Sequence, residues 1–241
     1  MNFLSIVSDR KNNVPYITSK NLIMNSPDLL GFESLCPELT HFLSNVEWIP
    51  TPFCFNLNKV NVFVLGSDPS NFSESGDATN ILSTVFGLGE GDARYFSGIL
   101  ANLREIGLSL EDIYVQNLVR NYLNFETSKN HPVWLKFANL WLPFLKEELN
   151  AVDNSKKIPV LVTAEVIFRF LNPAMEKYKA REIYNSEDQS IVRKMSVSND
   201  NKLGRPVIPF YRHLNYRLAK VEFSAYREFL KSVLVANKRS K

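Results

Sequence analysis

Four short runs along the chain are apolar at nearly every position: Val60–Gly66, Ile113–Val119, Ile158–Thr163 and Pro206–Phe210. Each is rich in β-branched or aromatic side chains, the pattern of strands covered on both faces. Between them the apolar spacing becomes helical. Ala93–Ile106 repeats apolar residues at helical intervals and stops at Gly107, a good C-terminal cap. Pro132–Leu149 carries Pro in its first turn and a broad Trp/Leu/Phe stripe. Ala164–Leu171 predicts a short helix, and Phe223–Val235 an amphipathic closing one. Strands alternating with helices predict an α/β domain around a mainly parallel sheet.

The flanking pattern is weaker. Residues 1–55 read as a helical preface with modest helices around Ser19–Leu30 and Pro37–Val46. Residues 172–205 are polar and rich in turn formers, an excursion or hairpin before the last strand. No internal repeat is visible, and 241 residues at 45% hydrophobic content suffice for one domain spanning 1–241. No stretch approaches the roughly 18 to 20 consecutive apolar residues of a membrane span. The opening Met-Asn-Phe-Leu-Ser-Ile-Val-Ser-Asp-Arg-Lys has too short an apolar part for a secretory signal. The expectation is a cytoplasmic monomer with no membrane partner.

Charge and cysteine usage sharpen this. Residues 202–241 hold ten Lys/Arg against Glu222 and Glu228, a net +8, whereas the whole chain carries only +3. A basic end on an acidic body is a candidate nucleic-acid footprint, although a solvated helix face with a basic tail gives the same count. Cys36 and Cys54 are too few for an all-cysteine zinc site or an iron–sulfur cluster, and both read as small core residues. His41, His131 and His213 stand far apart, so no metal site and no cofactor are expected.

In open α/β sheets ligands bind beyond the carboxyl ends of the strands. The first strand here runs into Gly66-Ser67-Asp68-Pro69-Ser70, the second carries Gln116-Asn117, and the last exits through Arg212-His213-Leu214-Asn215-Tyr216-Arg217. Gly-Ser-Asp-Pro is also an ordinary turn signature, because Asp bonds its own backbone and Pro fixes the next φ. Asn117 is harder to read that way. A buried amide must find hydrogen-bond partners, whether from protein or from ligand. An Asp, an Asn and a His at three parallel strand ends are expected to converge on one crevice. No phosphate-binding Gly-rich loop with Lys-Ser/Thr and no GxGxxG follows the first strand, and Gly87-Leu88-Gly89-Glu90-Gly91 reads as a flexible loop.

These residues, in this order, resemble the uracil-DNA glycosylase superfamily over roughly Asn61 to Val235. The resemblance implies a three-layer α/β/α sandwich with a central four-stranded, mainly parallel sheet. It also implies excision of uracil or a related deaminated base from DNA, in base excision repair and without a cofactor. Gly66-Ser67-Asp68-Pro69 is similar to the family's water-activating motif, with Asp68 as the catalytic aspartate. Phe86 is similar to the aromatic on which the flipped base stacks, and Asn117 to the asparagine that reads the base edge. His213 matches the histidine that bonds the departing base. Gly66, Ser67 and Ser70 would line the base pocket, while Arg212, Asn215 and Arg217 would hold DNA phosphates. The chemistry needs such groups: a carboxylate steadies the sugar cation, and a donor steadies the base anion.

The chain departs from the family in three places. Ser70 stands where the best-known branch has a Tyr that blocks the thymine methyl, which implies a more permissive pocket. The family's His-Pro-Ser-Pro-Leu becomes His213-Leu214-Asn215-Tyr216-Arg217, and two cysteines replace the four that cluster-bearing branches require. The resemblance is therefore to a divergent, cluster-free branch. Two other readings stay open: a catalytically inactive nucleic-acid-binding relative of the same fold, and an unrelated small-molecule α/β hydrolase acting through Asp68 and His213.

Overall fold

Four parallel strands, β2 (Val62–Gly66), β3 (Ile113–Asn117), β4 (Val160–Val162) and β5 (Val207–Pro209), carry the chain's most apolar runs in the computed structural model. Every residue of these strands is buried, which explains why they read as continuous apolar stretches. The structure describes residues 36–44, 46, 49–70, 81–88, 96–175, 177–185, 190, 191, 194 and 200–238. The expected four-stranded sheet has a fifth member. β1 (Phe53–Cys54) pairs antiparallel with β3, giving the order β1-β3-β2-β4-β5. A two-residue strand offers no periodicity to detect, so it escapes a reading based on pattern.

Register aligns the carboxyl ends. Gly66 lies opposite Asn117, Leu65 opposite Val162, and Val162 opposite Pro209. The chain steps from β2 to β3 on one side and later to β4 on the other, so the direction of winding reverses at β2. That reversal leaves a crevice beyond the carboxyl ends of β2 and β4.

The helices follow their sequence signals closely, apart from the first. α1 is a single turn, Pro37–Thr40, rather than a helix to Val46. Beyond it the backbone makes tertiary bonds instead: Ser44 N–H reaches the Tyr122 carbonyl at 3.0 Å, and Leu43 bridges Leu123. The expected helix at Ser19–Leu30 lies outside the described residues. α2 (Ser97–Glu105) ends before Gly107, whose φ of +75° is the left-handed conformation a helix stop needs. α3 (His131–Val152) runs unbroken through Pro143, because Pro143 faces solvent and its missing N–H leaves no buried orphan. α4 (Glu165–Leu171), α5 (Ala180–Asn185) and α6 (Ser224–Lys238) complete the set. α5 falls within the segment expected as a hairpin or excursion, whose described residues form helix and turns and no strand. Cys54 is buried as expected, whereas Cys36 is only half-buried beside α1.

The segment after β5 is held tightly. Tyr184 packs against Tyr211, Tyr216, Phe223 and Tyr226, and its hydroxyl accepts Tyr211 N–H at 2.7 Å. From α2, the buried Asn102 accepts Leu218 N–H at 2.9 Å and donates to the Tyr216 carbonyl at 3.2 Å. Several cations of the basic end are engaged internally. Arg205 is 1% exposed and paired with Asp153 at 3.3 Å. Arg227 donates to Glu105 at 3.4 Å. Among the described residues no helix is long and apolar enough to cross a membrane.

Candidate functional site

The crevice predicted by the winding reversal is a cleft of about 730 Å³. It is built from three strand ends: Ser67–Ser70 after β2, Asn117 closing β3, and Thr163–Val166 after β4. Phe86 forms part of its wall, Arg212 reaches it from beyond β5, and Glu126–Ser128 with His131 border it from the start of α3. Seven sequence-predicted site residues therefore belong to this place, counting Gly66 through its contacts with two of the others.

Gly66 explains how Asn117 and Phe86 come together. A Cβ at position 66 would lie 2.1 Å from Asn117 Oδ1 and 2.6 Å from Phe86 Cζ. Only the absence of a side chain admits both. Phe86 holds its ring there at a backbone cost, since its φ of +60° is the left-handed region that an aromatic residue rarely enters. The surrounding bonds impose it: Val85 N–H to the Thr51 carbonyl at 2.9 Å, Gly87 N–H to the Thr84 carbonyl at 3.0 Å, and Thr84 Oγ1 to the Leu88 carbonyl at 2.6 Å.

Asn117 is 1% exposed, and its Oδ1 has no hydrogen-bond partner among the described residues. A buried acceptor left open costs free energy; this oxygen is packed against the Gly66 backbone, while the Asn117 side chain as a whole still lines the cleft. Asp68 is the reactive group nearest in kind. Its Oδ1 accepts Ser70 N–H at 3.1 Å and its Oδ2 accepts the Thr127 hydroxyl at 2.6 Å. Burial pushes the Asp68 carboxyl above its ordinary range, while the bonds from Thr127, Ser70 and Ser67 hold part of that rise back. Ser70 also accepts Leu123 N–H on its Oγ at 2.7 Å, fixing the floor beside Asp68.

The cleft's charges are unevenly committed. Arg169 is paired with Glu165 at 2.7 Å, both lining the cleft. Arg212 is exposed, and its guanidinium has no partner among the described residues. No group of three or more His, Cys, Asp or Glu side chains is placed to hold a metal ion among the described residues.

Three expected site residues stand apart. His213 is exposed and outside the cleft lining, with its Nδ1 accepting Asn215 N–H at 3.2 Å. Asn215 is exposed beside it, and Arg217 lies over α2, where a Cβ on Gly98 would come within 3.3 Å of its Nη1. The clamp from Asn102 and the tyrosine cluster fixes this backbone, so the imidazole is directed to solvent by packing that no local pattern encodes.

The histidine that does border the cleft is His131, at the first turn of α3. Neither it nor Thr127 was among the residues singled out from the sequence. Thr127 lies 59 residues from Asp68 along the chain, and only the fold relates them. Compared with protein-family models and with curated proteins, the chain matches none.

Proposed function

We propose that this protein is a DNA glycosylase-like hydrolase that cleaves the N-glycosidic bond of uracil, or of a related deaminated base, in DNA. The observation that carries the reading is that the buried Asn117 amide, the Phe86 ring and the Asp68 carboxylate line one cleft. The aromatic face and the amide serve the extruded base and the carboxylate serves the sugar cation; the donor for the departing base anion is the one group that His213, outside the cleft, does not supply.

The base must leave the stack before its glycosidic bond is accessible. Phe86 then offers its face, and the Asn117 amide reads the base edge. Asp68, with both oxygens oriented by donors, steadies positive charge on the sugar and orients the attacking water. Arg212, without a partner among the described residues, meets a flanking phosphate. At about 730 Å³ the cleft is within the range of small-molecule sites, roughly 300–1,000 Å³, and holds more than a lone base. The reading carries with it a three-layer α/β/α arrangement and a cofactor-free monomer acting on DNA in the cytoplasm.

A second reading is favoured by one observation. His213 is directed away from the cleft, and a relative that binds a nucleotide without excising it would not need that donor. Formation of abasic sites in uracil-containing single- and double-stranded oligonucleotides distinguishes the two. Excision by the native chain and a fall of about 10²- to 10⁴-fold in Asp68→Asn is expected. Tight binding without any abasic product would leave the second reading standing.

A further inference from the structure

Below the cleft, Glu148 of α3 is a buried carboxylate for which the reaction above has no use. It is 1% exposed and accepts from three side chains of β3 and its continuation: the Tyr114 hydroxyl, Gln116 Nε2 at 2.9 Å and the Arg120 guanidinium. Arg120 is itself buried and stacks over Trp141, 5.0 Å from the ring centre. A buried ion pair is weak ground for stability alone, since desolvating both ions offsets their attraction. Burial also pushes the Tyr114 hydroxyl well above its ordinary pKa, so it serves as a donor to Glu148.

Gln116 gives the cluster a direction. Its Oε1 accepts Asn117 N–H at 2.9 Å. A carboxylate only accepts and an N–H only donates, so this amide orientation alone satisfies both neighbours. Asn117 N–H needs such a partner. Leu118 N–H bonds the Gly66 carbonyl of β2 at 2.8 Å, and successive strand amides point to opposite flanks, so Asn117 N–H faces the β1 side. There the pairing of β1 with β3 stops at Val115. A buried N–H at that point would otherwise lack an acceptor.

We infer that Glu148 is a positioning residue: through Gln116 it latches the backbone of Asn117 where the sheet edge gives out, and so fixes the strand end from which the Asn117 side chain lines the cleft. The inference rests on the glycosylase reading only for its kinetic test. Gln116→Met keeps the length of the side chain and leaves Glu148 its bonds to Tyr114 and Arg120, so the fold is kept. Glu148→Gln alone strands the Arg120 charge and is used only together with Gln116→Glu, a swap that rebuilds a relay from position 148 through 116 to the Asn117 amide.

Hydrogen exchange of the full chain, without substrate, reads the latch directly. Gln116→Met should lower protection of Asn117 N–H at least tenfold, leave the β2 and β4 amides unchanged and keep the melting temperature within a few degrees. The swap should recover most of that protection. On a uracil-containing oligonucleotide, Gln116→Met should lose about tenfold in excision, and the swap should restore it. Unchanged exchange at Asn117, or a rate loss that merely follows the loss of folded protein, would reduce Glu148 to a structural ion pair and overturn the inference. A native chain that excises no base overturns the glycosylase reading instead, with the exchange measurement still deciding the latch.

Discussion

The Thr127 hydroxyl donates to Asp68 Oδ2 at 2.6 Å, joining the loop before α3 to the loop after β2 across 59 residues of chain. With Ser70 N–H on the other oxygen, the carboxylate is held from two sides and cannot rotate to suit a passing solvent molecule. Such prior orientation is what makes a charged group effective against charge that develops only in the transition state.

Thr127→Val removes a bond that favours the ionised form, so the Asp68 pKa should rise further. The carboxylate is the active species, so the acid limb of the excision profile should move to higher pH. Thr127→Ser should leave the limb in place. A profile that does not move in Thr127→Val would disconnect this hydroxyl from the reacting group.

Asp68→Asn should stabilise the fold at alkaline pH. Because burial raises the folded-state pKa, the native chain binds a proton more tightly than the unfolded chain, and its stability declines as pH rises through that raised value. The amide escapes this decline. Its advantage in denaturant midpoint should therefore be present at pH 8 and vanish below the ordinary carboxylate range. An equal advantage at both extremes would place its cause elsewhere.

Gly66→Ala forces a Cβ to within 2.1 Å of Asn117 Oδ1 and 2.6 Å of Phe86 Cζ. Strand and ring must separate, at a cost of about 1–3 kcal/mol in stability. Excision should fall about 10²-fold, the effect of displacing a reactive geometry by an ångström. Denaturation and single-turnover kinetics on the same preparation measure both.

Arg212→Ala should reduce the slope of log affinity against log salt by about 0.7 to 0.9, the value of one phosphate contact. Arg217→Ala should change it less, since that guanidinium lies over Gly98 of α2 rather than in the cleft. DNA-binding isotherms at several salt concentrations compare them. The reverse ranking would move the DNA-facing surface from the cleft mouth to α2.

Strands β2 to β5 were legible because burial on both faces leaves an uninterrupted apolar run, and Asp68 and Asn117 because they stand at the ends of such runs. Phe86 was legible only through the resemblance; its left-handed backbone is set by the turn at Thr84 and by Thr51, which is far away along the chain. Thr127 and His131 lie outside every apolar run, and nothing near them along the chain relates them to Asp68. The orientation of His213 depends on Asn102 and Tyr184, each far away in sequence and acting through tertiary bonds. The +8 of the basic end likewise overstated the charge on offer, because Arg205 and Arg227 are spent on Asp153 and Glu105.

Both flanks of the sheet are blunt. β5 has three residues, ends on Pro209 and follows Pro206, so a second chain would find few amides there to pair with. On the other flank the two residues of β1 cover part of a five-residue strand. Were Phe53 and Cys54 to peel away, the edge from Ile113 to Asn117 would lie bare to any strand in solution. One small guard thus shields the protein from templated aggregation and, by the same contact, shelters the strand that ends in Asn117.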